Sequence, residues 1–161
     1  IDAPPVPVTP AGENLIKNFN FASGSDSWES AFTAPGTGTA TFTDNKATYS
    51  ITDVGTADWN VQLKQSGITL EQGQKYRVTF KATSTEDRTI KMAMLTATYG
   101  WYGGADIALT KDVTQDVVAE FTVNDPTDAN ISMVVSMGII AGLPTPASTV
   151  TLSDFSLVKV Q

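Results

Sequence analysis

The chain contains no cysteine and no histidine. The first absence removes disulfides, thiolate metal ligands and a cysteine nucleophile, though it does not decide the compartment. The second removes serine–histidine catalysis and imidazole metal ligands. Acid–base chemistry would have to rest on carboxylates, lysine or tyrosine alone. Positive charge is also scarce: 10 Lys and Arg stand against 17 Asp and Glu, a net charge of −7. The basic surface needed by a generic binder of nucleic acid or anionic membrane is therefore missing at the whole-domain level. No apolar run reaches the length of a membrane span, and no signal-peptide pattern opens the chain. The chain reads as a mature domain or a piece of a larger protein. No amphipathic helical stretch stands out.

What is present is β-pattern. A length of 161 residues suits one domain with a real core. Residues 1–12 carry four prolines and read as an extended Pro-rich linker, with the globular module over 13–161. In Lys75–Ala82, Tyr76, Val78, Phe80 and Ala82 alternate with Lys75, Arg77, Thr79 and Lys81, the period of a half-buried strand. Ile90, Met92 and Met94 repeat the pattern, as do Val117 to Val123, Ile131 to Met137, and Trp59, Val61 and Leu63. The segment Val150–Val160 alternates with a break near Asp154. Turn signals lie at 71–73, 84–87, 124–126 and 143–146. About nine or ten short strands, each with one apolar face, must be buried sheet against sheet. The fold class is all-β, an antiparallel β-sandwich with a jelly roll as the expected topology. Spacing alone does not separate a jelly roll from an immunoglobulin-like sandwich.

Three stretches carry a resemblance. They are Asn14-Leu-Ile-Lys-Asn-Phe-Asn-Phe21 followed by Trp28, then Trp59-Asn-Val-Gln-Leu through Gly73-Gln-Lys-Tyr-Arg-Val-Thr-Phe80, and Thr149-Val-Thr-Leu-Ser-Asp-Phe-Ser-Leu157. Their order and spacing resemble the carbohydrate-binding modules of family 4 and its relatives, families 9, 16 and 22. Phe19 and Asn20 depart from the family's opening motif, which usually has glycine and a polar or acidic residue there. The resemblance implies a jelly roll that binds single polysaccharide chains without catalysis, β-glucan first and xylan next, in a cleft on one sheet. It also implies a monomeric module joined covalently to a secreted bacterial glycoside hydrolase, and therefore an extracellular setting.

The resemblance also points to residues. A sugar ring has apolar C–H faces and a polar rim, so flat aromatics and hydroxyl-bonding polar groups recognise it together. In Tyr99-Gly-Trp-Tyr-Gly-Gly104, Trp101 is the leading aromatic, expected in a loop beyond a strand end, with Tyr99 and Tyr102 supporting it. Phe32 lies one residue from another aromatic position of the family. The polar candidates are Asn60, Gln62 and Lys64, on one strand face, together with Lys91 and Ser136. Ser136 replaces a glutamine frequent in relatives, and its small size leaves room for a bent chain or a side branch. Trp28 and Trp59 are assigned to the core, Trp59 because it shares the face of Val61 and Leu63. A structural calcium ion is implied as a cofactor at Asn20, the Lys46 carbonyl and Asp154, with Glu13 nearby.

Two other functions compete. A structural or adhesive surface sandwich would expose no aromatic cleft. A glycan-active enzyme would need two carboxylates facing one bond, and Asp58 and Glu120 are the acidic residues to inspect.

Overall fold

Period-two alternation sends one set of side chains inward from every strand, and the computed structural model, which describes residues 12–160, shows where each set goes. All but Gly12 of the expected linker lies outside the described residues. The strands are β1 (Glu29–Phe32), β2 (Thr37–Thr43), β3 (Lys46–Asp53), β4 (Val61–Leu70), β5 (Lys75–Ser84), β6 (Arg88–Leu95), β7 (Trp101–Leu109), β8 (Gln115–Thr122), β9 (Asp128–Ser136) and β10 (Thr149–Val160). They form two five-stranded sheets, in the orders β1-β4-β9-β6-β7 and β2-β3-β10-β5-β8. Neighbours within each sheet run antiparallel. The result is the expected antiparallel jelly-roll sandwich.

The inward sets are those the alternation names. Tyr76, Val78, Phe80 and Ala82 of β5 meet Ile90, Met92 and Met94 of β6 and Ile131, Met133 and Val135 of β9 in one buried core. Full burial of each large side chain contributes roughly 1.5–3 kcal/mol. Residues 12–28 close one end of the sandwich. The Leu15 amide donates to the Leu157 carbonyl and the Phe155 amide to the Phe19 carbonyl. Phe21, Trp28 and Phe155 form an aromatic knot there, with ring centroids 5.0–6.0 Å apart. Trp28 is thus a core residue, as expected.

Two expectations about the chain path are corrected. Trp59 does not open a strand. It lies in a 3-10 helical turn over Asp58–Asn60, and β4 begins at Val61. The turn rotates Trp59 out of the alternation, so the ring stays 53% exposed and leaves the core. Trp101 is not in a loop but is the first residue of β7.

Candidate functional site

Register places the outward side chains of the first sheet in rows. One row crosses Ala31, Gln62, Ser136, Lys91 and Asp106. The next crosses Glu29, Lys64, Val134, Ala93 and Gly104. Ser132, Leu95 and Trp101 follow. Successive rows are two residues, about 7 Å, apart. The centre of this face is floored by Ala93, Val134 and Ser136, all small and all buried. Small residues on the central strands make a depression between taller walls.

Those walls stand on opposite sides of the set of rows. Asp58 and Trp59 rise beyond the Gln62–Ser136–Lys91 row. The Asp58 and Ala57 carbonyls there accept the amides of Gly138 and Ile139. Tyr99 and Trp101 rise at the row of Leu95. Between them lies a groove of about 680 Å³, lined by these aromatics together with Gln62, Lys91, Asp58 and Ser136. Lys91 Nζ is 3.4 Å from an Asp58 carboxylate oxygen, an ion pair that spans from β6 to the 3-10 turn. Gln62 Nε2 donates to Ser136 Oγ over a long 3.4 Å, which leaves its amide oxygen and second N–H free for a ligand.

The short stretch around Trp101 has an unexpected construction. The left-handed backbone falls on Tyr99 (φ 69°) rather than on a glycine. The turn is held by Thr96: its carbonyl accepts the Tyr99 amide, its amide donates to Gly100 O, and its Oγ1 accepts the Gly100 amide. The next two glycines serve close approach. A Cβ on Gly103 would lie 2.5 Å from the Phe121 ring, and one on Gly104 would lie 2.8 Å from Trp101 Cη2. Gly104 is therefore the seat on which the Trp101 indole lies. A register shift between Met94 and Leu95 makes Tyr102 the extra residue of a bulge, so neighbouring Trp101 and Tyr102 part company.

Of the expected ligand residues, Trp101, Tyr99, Gln62, Lys91 and Ser136 line this one groove. Lys64 lies on the same face in an adjoining trough, with Nζ 3.8 Å from Glu29. Three do not belong. Asn60 is 1% exposed, and both polar atoms of its side chain are hydrogen-bonded within the protein. Its Oδ1 accepts the amides of Thr56 and Ala57, and its Nδ2 donates to the Thr33 carbonyl. It shapes the turn under Trp59 and touches no ligand space. Phe32 pairs with Val61 and turns inward onto Tyr49, with ring centroids 5.8 Å apart. Tyr102 packs against the core edge and donates its hydroxyl to the Pro126 carbonyl. Burial, followed by Asp128 and Asp125 nearby, raises its phenol above the usual value. Trp59, Asp58, Thr33, Ala93 and Leu95 were not among the expected ligand residues, yet they line the groove.

The groove has one carboxylate, Asp58. Glu120 lies on β8 of the other sheet, held by Lys75 at 3.0 Å and Arg77 at 2.8 Å. The two acids share no site, so the pair that glycoside hydrolysis requires is not assembled from them.

The shelf under Trp59 depends on a buried cation. Arg88, 1% exposed, donates to the carbonyls of Thr89, Met137, Gly138 and Pro146 and contacts Ser148 Oγ. Burial pushes its pKa down to about 10, which leaves it charged at neutral pH. Backbone carbonyls take the place of a carboxylate partner.

The residues expected to hold calcium are neighbours. Asp154 sits at the β10 bulge with φ 54° and is exposed. The Phe155–Phe19 hydrogen bond brings it to Asn20. The Asn45 amide donates to the Asn20 carbonyl, and Ala47 pairs with Leu152, so the Lys46 backbone runs alongside. Carboxylate, side-chain amide and backbone carbonyl oxygens are the ligand types a hard cation takes, and the Asn20 Oδ1 here accepts the Ala22 amide. Among the described residues no group of three or more acidic side chains gathers, so a cation here would lean on amide and carbonyl oxygens.

Comparison with known proteins agrees with this geometry. A family profile described as "Carbohydrate binding domain" (CBM_4_9) matches residues 13–149. A search of curated proteins finds no match. Among solved structures, one titled "CBM4 structure and function" superposes with a TM-score of 0.75 at 23% identity, covering 89% of this chain and 99% of that one. The N-terminal cellulose-binding domain of Cellulomonas fimi β-1,4-glucanase C gives 0.67 at 21% identity, covering 95% and 98%. The second such domain of that glucanase gives 0.66 at 19% identity, covering 94% and 97%. These likenesses concern the fold, whereas the profile covers most of the sequence itself. The chain therefore belongs to the carbohydrate-binding domain family CBM_4_9 and is a non-catalytic binding module.

Proposed function

We propose that the groove takes a single polysaccharide chain, β-glucan in preference to xylan, and that the module directs an attached glycoside hydrolase to that polymer outside the cell. One observation carries this reading: Trp59 and Trp101, large apolar rings each 53% exposed, flank a groove that also presents the polar groups of Gln62, Lys91, Asp58 and Ser136. Exposed aromatics beside a polar groove mark binding surfaces. Unbranched β-linked pyranose rings offer a flat C–H face to each indole and equatorial hydroxyls to Gln62, Lys91 and Asp58. Two structural neighbours described as cellulose-binding domains lend support to the β-glucan preference.

The test is titration with soluble β-glucan, xylan and mannan oligosaccharides, read by heat and tryptophan fluorescence. Saturable binding without product formation is expected. Trp59→Ala should weaken it severalfold, at least about 1 kcal/mol, as for a partly exposed aromatic contact. No heat and no fluorescence change across the whole panel would reject the reading.

We further infer a structural calcium ion held by Asn20, the Lys46 carbonyl and Asp154, where it would tie the chain's opening segment to β10. An ion bound only by the folded state at a hundredfold above its Kd stabilises by about 2.7 kcal/mol. Chelation should therefore lower the Tm by roughly 5–10 °C, and added calcium should restore it. An unchanged Tm in metal-stripped protein would remove the ion from the account.

A further inference from the structure

Trp59 is an exposed ring carried on a very short element. Its 3-10 turn spans three residues and closes with the Asn60 amide on the Ala57 carbonyl, at a long 3.2 Å. A single turn of this kind is weak by itself, so its own bonds do not fix where the indole stands. The turn is held instead by the side chain beneath it. Asn60 Oδ1 accepts the Thr56 and Ala57 amides at 2.9 and 2.8 Å, which fastens the chain entering the turn. Asn60 Nδ2 donates to the Thr33 carbonyl at 2.9 Å, and the Asn60 carbonyl accepts the Thr33 amide at 2.9 Å. Two bonds therefore tie Asn60 to the residue that follows β1. Thr33 lines the groove together with Trp59 and Asp58, so one buried amide joins two separate segments of the same wall.

Close packing removes the remaining play. The turn leads into β4, whose neighbours in the sheet are β1 and β9. From the β1 side, a Cβ on Gly36 would lie 2.6 Å from the Asn60 carbonyl oxygen. From the β9 side, a Cβ on Gly138 would lie 2.2 Å from the Ala57 carbonyl oxygen. Backbone presses on the turn from both flanks with no side chain between. The chemistry required of residue 60 is narrow. It must accept two amides and donate to a carbonyl from one short planar group, and among the side chains of that length only asparagine does both. Fixing a binding group before the ligand arrives lowers the ordering cost of association.

We propose that Asn60 is a positioning residue of the glycan site: without meeting the ligand, it fixes the Trp59 turn against Thr33 and so sets the stance of the indole over the groove. The inference rests on the groove being the glycan site and on Trp59 being one of its platforms. Its consequence is that affinity depends on Asn60 only as long as the ring at position 59 is present.

The experiment is a double-mutant cycle on the whole chain. The unsubstituted protein, Asn60→Ala, Trp59→Ala and the double variant are titrated calorimetrically with the oligosaccharide of the β-glucan, xylan and mannan panel that binds tightest, and each is melted. Asn60→Ala should weaken binding threefold or more, about as much as Trp59→Ala. In the Trp59→Ala background the same substitution should cost less than twofold, while its lowering of the Tm is the same in both backgrounds. A merely structural role would instead repeat the affinity loss in both. Asn60→Ser should fall between wild type and Asn60→Ala, because its hydroxyl can accept one of the two amides but cannot serve both sides of the turn. It takes the place of Asn60→Ala in the cycle if that variant does not fold. Wild-type affinity in a folded Asn60 variant overturns the inference, and so does an equal affinity loss in both backgrounds. Wild-type affinity in Trp59→Ala removes the platform and the inference but leaves the groove as the site. Silence of the unsubstituted protein toward the whole panel rejects the groove itself as a glycan site.

Discussion

Trp101→Ala is expected to lower glycan affinity at least tenfold, about 1.4 kcal/mol or more, with the fold intact. The fold should survive because Trp101 is half exposed, begins an edge strand and lies outside the core cluster. Binding should suffer because nothing nearby can replace the ring. Tyr102 is turned inward by the bulge, and Leu95 offers no flat face. Gly104, on which the indole lies, would become bare backbone under an open groove. Calorimetric titration decides the affinity and thermal melting decides the fold. Wild-type affinity in a folded variant would move the principal platform to Trp59 and Tyr99.

The largest loss of stability is expected from Arg88→Met. The substitution keeps a long buried side chain but removes the guanidinium donor from the carbonyls of Thr89, Met137 and Gly138, while Pro146 keeps the Ser148 hydroxyl. Each buried acceptor left unsatisfied costs about 1–3 kcal/mol. Water entry and partial collapse will recover some of this, and a net loss of about 3–5 kcal/mol is expected, comparable with breaking a buried charged network. For a domain of this length that lowers the Tm by roughly 10 °C. Arg88→Lys should fall between the two, since one ammonium cannot span the carbonyls of Met137 and Pro146 that the planar guanidinium reaches together. The loss should extend to binding. Gly138 accepts from Arg88 and donates to the Asp58 carbonyl, so the shelf under Trp59 loosens with the guanidinium. Denaturant unfolding of the three proteins measures the series. A methionine variant melting within 2 °C of wild type would show that these carbonyls find other donors, since so small a shift corresponds to about 1 kcal/mol or less.

Local pattern carried the sandwich but only part of the cleft. β5 was legible because its alternation is strict over 75–82, and β6 and β9 because Ile90, Met92 and Met94 and Ile131, Met133 and Val135 recur at every second position. The jelly roll was expected from the pattern, but only the resemblance favoured it over an immunoglobulin-like sandwich, since connection order leaves no local mark. Gln62, Lys91 and Ser136 were legible because alternation turns them outward and the resemblance points to them, whereas their sharing one row is decided by cross-strand pairing. Trp59 was misread for the same reason. Its spacing from Val61 and Leu63 continues the strand period through a turn that period cannot detect. The Asp-Trp-Asn composition at 58–60 was the available sign, because both flanking residue types favour turns. Asn60 looked outward for as long as the turn was unseen. Phe32 and Tyr102 depend on cross-strand pairing and a bulge, both decided by distant residues. Arg88 reads as an ordinary charged residue at a strand start, and only the loops folding over it make it internal.

The Lys91–Asp58 pair also bears on the environments in which the module can work. The protein carries a net charge of −7, yet inside the groove an ammonium and a carboxylate 3.4 Å apart nearly cancel. A neutral polymer entering there meets a local dipole and little net field. Dissolved salt screens long-range fields far more than short contacts between partly buried groups. The grip on an uncharged glycan should therefore be nearly the same in fresh water and in brine. The acidic exterior, by contrast, repels anionic polymers from a distance, and that repulsion fades as salt rises.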